Sequence, residues 1–198
     1  VGTLWVGTGS GIDRWEEGKF IPSPQKAGIG NVPVRTLGEN RQGNLLVGTP
    51  QGLYLLKGND FQPLGLEYEV LAVYEDNSRD LWIGTNGSGL VRCKQGNPAH
   101  RTVFTTDNGF PGNTIFSLEE DRAGNLWMSS YQGVFRVSKQ ELIDIADGKN
   151  PTATFITVVS FDEKEGMLNR ECTGSGNPSA FLAAGDGDGG KLYIPTVK

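Results

Sequence analysis

The phrase Leu4-Trp5-Val6-Gly7-Thr8 returns through this 198-residue chain with small changes. It recurs as Leu45-Leu46-Val47-Gly48-Thr49, Leu81-Trp82-Ile83-Gly84-Thr85 and Leu126-Trp127-Met128-Ser129-Ser130, with a degraded copy at Leu192-Tyr193-Ile194-Pro195-Thr196. A small element repeated in this way cannot bury its apolar face alone and must stack on its neighbours. With Trp5, Leu46, Trp82, Trp127 and Tyr193 taken as equivalent, the steps are 41, 36, 45 and 66 residues. Periods near 40 built on strand-like runs point to propeller blades rather than helical solenoids. Function must then lie on the surface that the repeats build together.

Each repeat reads as four short antiparallel strands. In the third, Val70 to Glu75 alternates and forms the first strand, and Asp76-Asn77-Ser78-Arg79-Asp80 supplies turn chemistry. Leu81 to Thr85, Leu90 to Cys93 and Thr102 to Thr105 follow as the remaining strands. The 29 glycines fit an all-β chain with frequent tight turns. A net charge of −5 without a basic cluster argues against a nucleic-acid partner. No apolar run reaches the roughly 20 residues that span a bilayer. The first residues already sit inside a repeat, so no signal peptide is expected there.

The expected layout is a partial blade over 1–24, blades over 31–64, 67–105 and 113–161, and a partial blade over 169–198. The phase of the repeat predicts a piece, about four to five blades, of a larger seven-bladed propeller. The rival layout closes a four-bladed ring within the chain. The long last step holds a predicted short helix over 138–147: Ser138 is its N-cap, Glu141 completes a capping box, Gly148 stops it, and the rim of its own blade receives it.

The residues then resemble a known group, the two-component regulator propeller repeat. Leu118-Glu119-Glu120-Asp121-Arg122-Ala123-Gly124-Asn125-Leu126-Trp127 carries the likeness, as do Tyr74-Glu75-Asp76 with Leu81 to Thr85, and Thr106-Asp107-Asn108-Gly109-Phe110-Pro111-Gly112-Asn113. Leu46, Ser129-Ser130 and Pro195 depart from the pattern without breaking the repeat. The resemblance implies a periplasmic sensor module, the extracytoplasmic part of an inner-membrane protein. Its partners would be the rest of the same propeller and downstream signalling domains, with a homodimer open.

Each motif that suggests chemistry also has a plainer reading. Gly7-Thr8-Gly9-Ser10-Gly11 superficially suggests a phosphate loop, but a strand follows it where that chemistry needs a helix, so it reads as a hairpin turn. Gly185-Asp186-Gly187-Asp188-Gly189-Gly190 has too few oxygens for a calcium site and reads as another hairpin. Asn86-Gly87-Ser88 reads as a turn. Cys93 and Cys172 read as unpaired, partly buried thiols. His100, the single histidine, falls in an outer loop, so no catalytic constellation assembles, which disfavours a streptogramin-lyase-like enzyme. No catalytic residue, metal or cofactor is expected. A small-molecule or oligosaccharide ligand would sit where propellers bind, on the loops that lead into the innermost strands. The candidate contacts are Arg35, Tyr68, Asn113, Arg170 and Glu171. The alternative is a scaffold that supports dimerisation and binds no ligand.

Overall fold

The computed structural model describes residues 3–22, 28–149, 155–174, 180–183 and 191–197. The Asp/Gly-rich run at 185–190 lies outside the described residues. Five antiparallel sheets follow one another along the chain. Blade 1 comprises β1 (Leu4–Thr8), β2 (Gly11–Glu16) and β3 (Lys19–Pro22). Blade 2 comprises β4 (Thr36–Glu39), β5 (Leu45–Thr49), β6 (Gly52–Lys57) and β7 (Asp60–Pro63). Blade 3 holds β8 (Val70–Glu75), β9 (Leu81–Thr85), β10 (Leu90–Cys93) and β11 (Arg101–Phe104). Blade 4 holds β12 (Ser117–Glu120), β13 (Asn125–Ser130), β14 (Gly133–Ser138), then α1 (Lys139–Ala146) and β15 (Val158–Phe161). Blade 5 shows β16 (Phe181–Ala183) and β17 (Lys191–Tyr193), with Cys172 bridged to Thr196. First strands β4, β8 and β12 lie side by side, as the innermost strands of propeller blades do. The fold is an all-β propeller segment with one short helical insertion.

The recurring phrase is packing chemistry. Its Gly lets the next blade approach: a Cβ on Gly7 would stand 2.5 Å from Val34 Cγ1, on Gly48 2.7 Å from Val70 Cγ1, and on Gly84 2.8 Å from the Ile115 carbonyl oxygen. Its Thr ties the following hairpin. The hydroxyls of Thr8, Thr49, Thr85 and Ser130 donate to the carbonyls of Gly11, Gly52, Gly89 and Gly133 at 3.1, 3.0, 2.7 and 3.2 Å. Each also accepts a backbone N–H from the turn, from Ser10, Gln51, Ser88 and Gln132. Ser130 therefore departs from Thr in shape and keeps the bonding. Ser129 in the Gly position is likewise accommodated, because its hydroxyl meets that of Ser117 at 2.6 Å.

The aromatic of the phrase fills the junctions. Trp5 meets Phe61 of blade 2 edge to face, at 6.2 Å between centroids. Leu46 and Leu53 pack on Leu81, Ile83, Val91 and Cys93 of blade 3. Trp82, Leu90 and Phe104 pack on Leu126, Met128, Phe135 and Val137 of blade 4. Trp127 stacks on Phe161 in the cluster that also holds Cys172 and Ile194. Cys93 and Cys172 are both free and fully buried.

Helix α1 begins and ends near the expected positions, with Ser138 Oγ accepting the Glu141 N–H at 3.4 Å and Gly148 in the left-handed conformation (φ 67°) just beyond it. Two expectations change. Glu141 does not complete a capping box. Its Oε1 accepts the N–H and hydroxyl of Thr157, both at 3.0 Å, and so ties the chain leading into β15. The helix also reaches past its own blade: Leu142 is buried in the blade 3–blade 4 core, and Asp147 pairs with Arg92 of β10 at 2.9 Å. Arg92 needs that second carboxylate because it is buried, and its bond to Asp80 does not use every N–H of the fork.

Candidate functional site

The position after each Gly-Thr or Ser-Ser changes from repeat to repeat: Gly9, Pro50, Asn86, Tyr131. These residues occupy the turn between second and third strands, beside the backbone that leads into the next inner strand. The Asn86 N–H donates to the Glu69 carbonyl at 2.9 Å, and the Ile115 N–H to the Thr85 carbonyl at 2.9 Å. The same edge carries a relay of polar side chains across blades. Arg35 Nη2 pairs with Glu69 Oε1 at 3.1 Å, Glu69 Oε2 accepts from Asn86 Nδ2 at 2.8 Å, and Asn86 Oδ1 accepts from the Thr114 hydroxyl at 3.4 Å.

The relay ends at a cavity of about 290 Å³ that Asn86, Phe116, Tyr131, Glu171 and Val197 line together with the backbone around Thr173. Tyr131 and Phe116 form a T-shaped pair, with centroids 4.7 Å apart and planes at 83°, and half of Tyr131 remains exposed. Such a pair favours one orientation of the outer ring. Glu171 is exposed, its N–H held by Asn169 Oδ1 at 2.9 Å and its carbonyl by the Val197 N–H at 2.9 Å. Leu71 and Phe116 also line a smaller cavity of about 100 Å³ on the inner-strand face, walled by Thr36, Ser117, Glu119 and Ala180. Burial holds the Glu119 carboxyl above its usual range.

The expected contacts divide. Glu171 lines the cavity and Arg35 joins the relay that reaches it. Tyr68 packs into the core beside Leu53 and Leu66. The Asn113 side chain accepts the Thr106 N–H at 2.8 Å and so fastens the loop before β12. Arg170 is exposed, and its N–H donates to Glu163 Oε1 at 3.0 Å. Asn86, Phe116 and Tyr131 line the cavity without being among the expected contacts. The signal that marks two of them was present: a side chain that varies at a fixed place in an otherwise repeated turn. His100 is exposed between β10 and β11 and does not line this cavity. Among the described residues, no three His, Cys, Asp or Glu side chains converge.

Residues 65–87 and 109–132 match the family described as Two component regulator propeller. Those two stretches are similar to two-component regulator propeller repeats. No curated protein matches it in sequence. In structure, the propeller segment is similar to the extracellular domain of a protein described as a one-component system from B. thetaiotaomicron. The two are 16% identical with a TM-score of 0.69, over 98% of this chain and 27% of that one. The extracellular domain of a protein described as a hybrid two-component system from the same organism is 18% identical, with a TM-score of 0.52 over 96% of this chain and 30% of that one. Virginiamycin B lyase from Staphylococcus aureus is 12% identical, with a TM-score of 0.54 over 96% of this chain and 64% of that one. The propeller segment thus spans less than a third of the two extracellular domains. At these identities the likeness is one of fold. No helix among the described residues is long and apolar enough to cross a membrane.

Proposed function

We propose that this propeller segment recognises a polar ligand, a carbohydrate fragment above all, as part of an extracytoplasmic signalling sensor. The observation that carries the reading is the half-exposed Tyr131, braced on Phe116 at the mouth of a cavity that also presents the Asn86 amide and the Glu171 carboxylate. A braced aromatic face takes the apolar face of a sugar ring, and amide and carboxylate groups take its hydroxyls. The extracellular placement of the two similar ectodomains supports an extracytoplasmic setting. Recognition without catalysis suits the site better than a lyase reaction, because the only imidazole lies on the outer rim.

Thermal-shift and calorimetric screening of the chain against neutral oligosaccharides tests this. The expected result is saturable stabilisation by at least one glycan, lost in Tyr131→Ala and weakened in Glu171→Gln. Silence across a broad panel would favour a dimerisation scaffold.

A further inference from the structure

A second cavity, of about 330 Å³, opens on the outer rim between the β10–β11 loop and the end of α1, lined by Arg92, Lys94, His100, Arg101, Thr102 and Asp147. A donor and acceptor inventory of these side chains is lopsided. Arg92 is buried and its charge is already paired: Nε and Nη2 bind Asp80 Oδ2, both at 2.6 Å, and Nη1 binds Asp147 Oδ1 at 2.9 Å. Lys94 gives one bond, to Asp147 Oδ2 at 3.0 Å, and keeps two N–H groups on a half-exposed ammonium. Arg101 gives Nη1 to the Pro98 carbonyl at 3.1 Å and keeps most of its fork. The Asn97 amide is oriented by its Oδ1, which accepts the Ala99 N–H at 3.0 Å, so its Nδ2 faces His100 Nδ1 at 3.4 Å as a donor. That leaves His100 Nδ1 as the acceptor and Nε2 as the N–H that points elsewhere.

The one carboxylate on the wall, Asp147, is already engaged. The bonds from Lys94 and, against the opposing effect of burial, from Arg92 hold it below the usual carboxylate range. What remains unspent is therefore donors: Lys94, Arg101 and His100. A cavity offering donors and positive charge, on a chain whose net charge is −5, selects a ligand that brings acceptors and negative charge.

We propose that this rim cavity is an anion site for the acidic group, carboxylate or sulfate, of a small sugar-sized ligand. It is separate from the cavity beside Tyr131, and an exposed lysine and arginine supply its contacts.

Isothermal titration of the chain with glucuronate and with inorganic sulfate, at ionic strength held constant with sodium chloride, tests it, with glucose as the neutral control. The expected result is saturable binding of glucuronate or sulfate in the millimolar range and none of glucose. The paired variant Lys94→Met, Arg101→Met weakens that binding about tenfold or more and keeps the wild-type urea midpoint, because both side chains are exposed. Tyr131→Ala leaves it unchanged, which separates this site from the glycan reading above. No saturable binding of either anion, or binding that the paired variant leaves intact, overturns the proposal.

Discussion

The indole N–H of Trp82 donates to Asp76 Oδ2 at 3.0 Å, and both residues are fully buried at the junction of blades 3 and 4. Asp76 Oδ1 accepts the N–H groups of Ser78 and Asp80 at 2.8 and 3.0 Å, so a single carboxylate closes the turn and seats the ring. Trp127 and Asp121 repeat the arrangement at 2.8 Å. Blade 2 changes both partners together. The Leu46 side chain has no N–H to place. Asn40 closes its turn with Oδ1, accepting from the Gln42 and Asn44 N–H groups at 3.1 and 2.8 Å. Its Nδ2 turns to Gln42 Oε1 at 2.9 Å instead of to an aromatic ring.

This pairing predicts an energetic coupling. Asp76→Asn weakens the indole bond and the 3.4 Å ion pair with Lys139, at a cost of about 1–3 kcal/mol. Trp82→Leu opens a cavity and costs about 3–5 kcal/mol. The double variant rebuilds the Asn40–Leu46 arrangement and is less destabilised than the sum, by about 1 kcal/mol. Urea denaturation of the four proteins gives the coupling directly. Strict additivity would break the proposed link between the two positions.

The Thr of the repeated phrase is fixed by its hydroxyl. Thr85→Val removes a buried bond to the Gly89 carbonyl and leaves the Ser88 N–H without its partner, so it costs about 1–3 kcal/mol. Thr85→Ser keeps both bonds, as Ser130 does, and costs less than about 1 kcal/mol. Equal losses in the two variants, read as shifts in urea midpoint, would show that packing of the methyl group decides the position.

The all-β class and the antiparallel strand order within a blade were legible because a repeat states its packing rule several times over. The candidate site was legible only in part, for a physical reason. Inner-strand lead-ins such as Asn113 and Tyr68 carry polar and aromatic groups that serve the blade itself, capping a loop and filling a core, and the sequence does not separate that duty from ligand contact. Asn86 and Tyr131 sit in hairpin turns, where a polar or aromatic residue looks ordinary until the next blade places Glu171 opposite. The reach of α1 into blade 3 was hidden because it depends on Arg92 and Asp147, 55 positions apart in the chain.

Close approach at the Gly of the phrase should be unforgiving where backbone is the obstacle. A Cβ at Gly84 meets the Ile115 carbonyl oxygen at 2.8 Å, and that strand cannot retreat without parting blades 3 and 4. Gly84→Ala is expected to cost about 2 kcal/mol or more. The reverse change in blade 4, Ser129→Gly, loses only the bond to Ser117 and the entropy of a stiffer chain, about 1–2 kcal/mol. Paired thermal and urea melts compare the two, and a tolerated Gly84→Ala would mean that the blades can slide apart at this point.

Burial pushes the Cys93 thiol up to about 11, which ties stability to alkaline pH. The folded chain holds this proton more tightly than the unfolded chain, whose thiols titrate near about 8.5. The contribution is therefore fully present below about pH 8.5 and is lost as pH rises toward 11, because only the unfolded state gains by ionising. Cys172 shifts in the same direction through its own burial and steepens the loss. Urea midpoints measured from pH 7 to 10.5 should fall for the native chain and fall less for Cys93→Ala, after allowance for that variant's lower starting stability. Iodoacetamide should label Cys93 at the rate of global unfolding, since the reactive thiolate is not available in the closed junction. Rapid labelling at pH 8, or identical pH slopes for the native and Cys93→Ala chains, would place this thiol outside the sealed interface between blades 2 and 3.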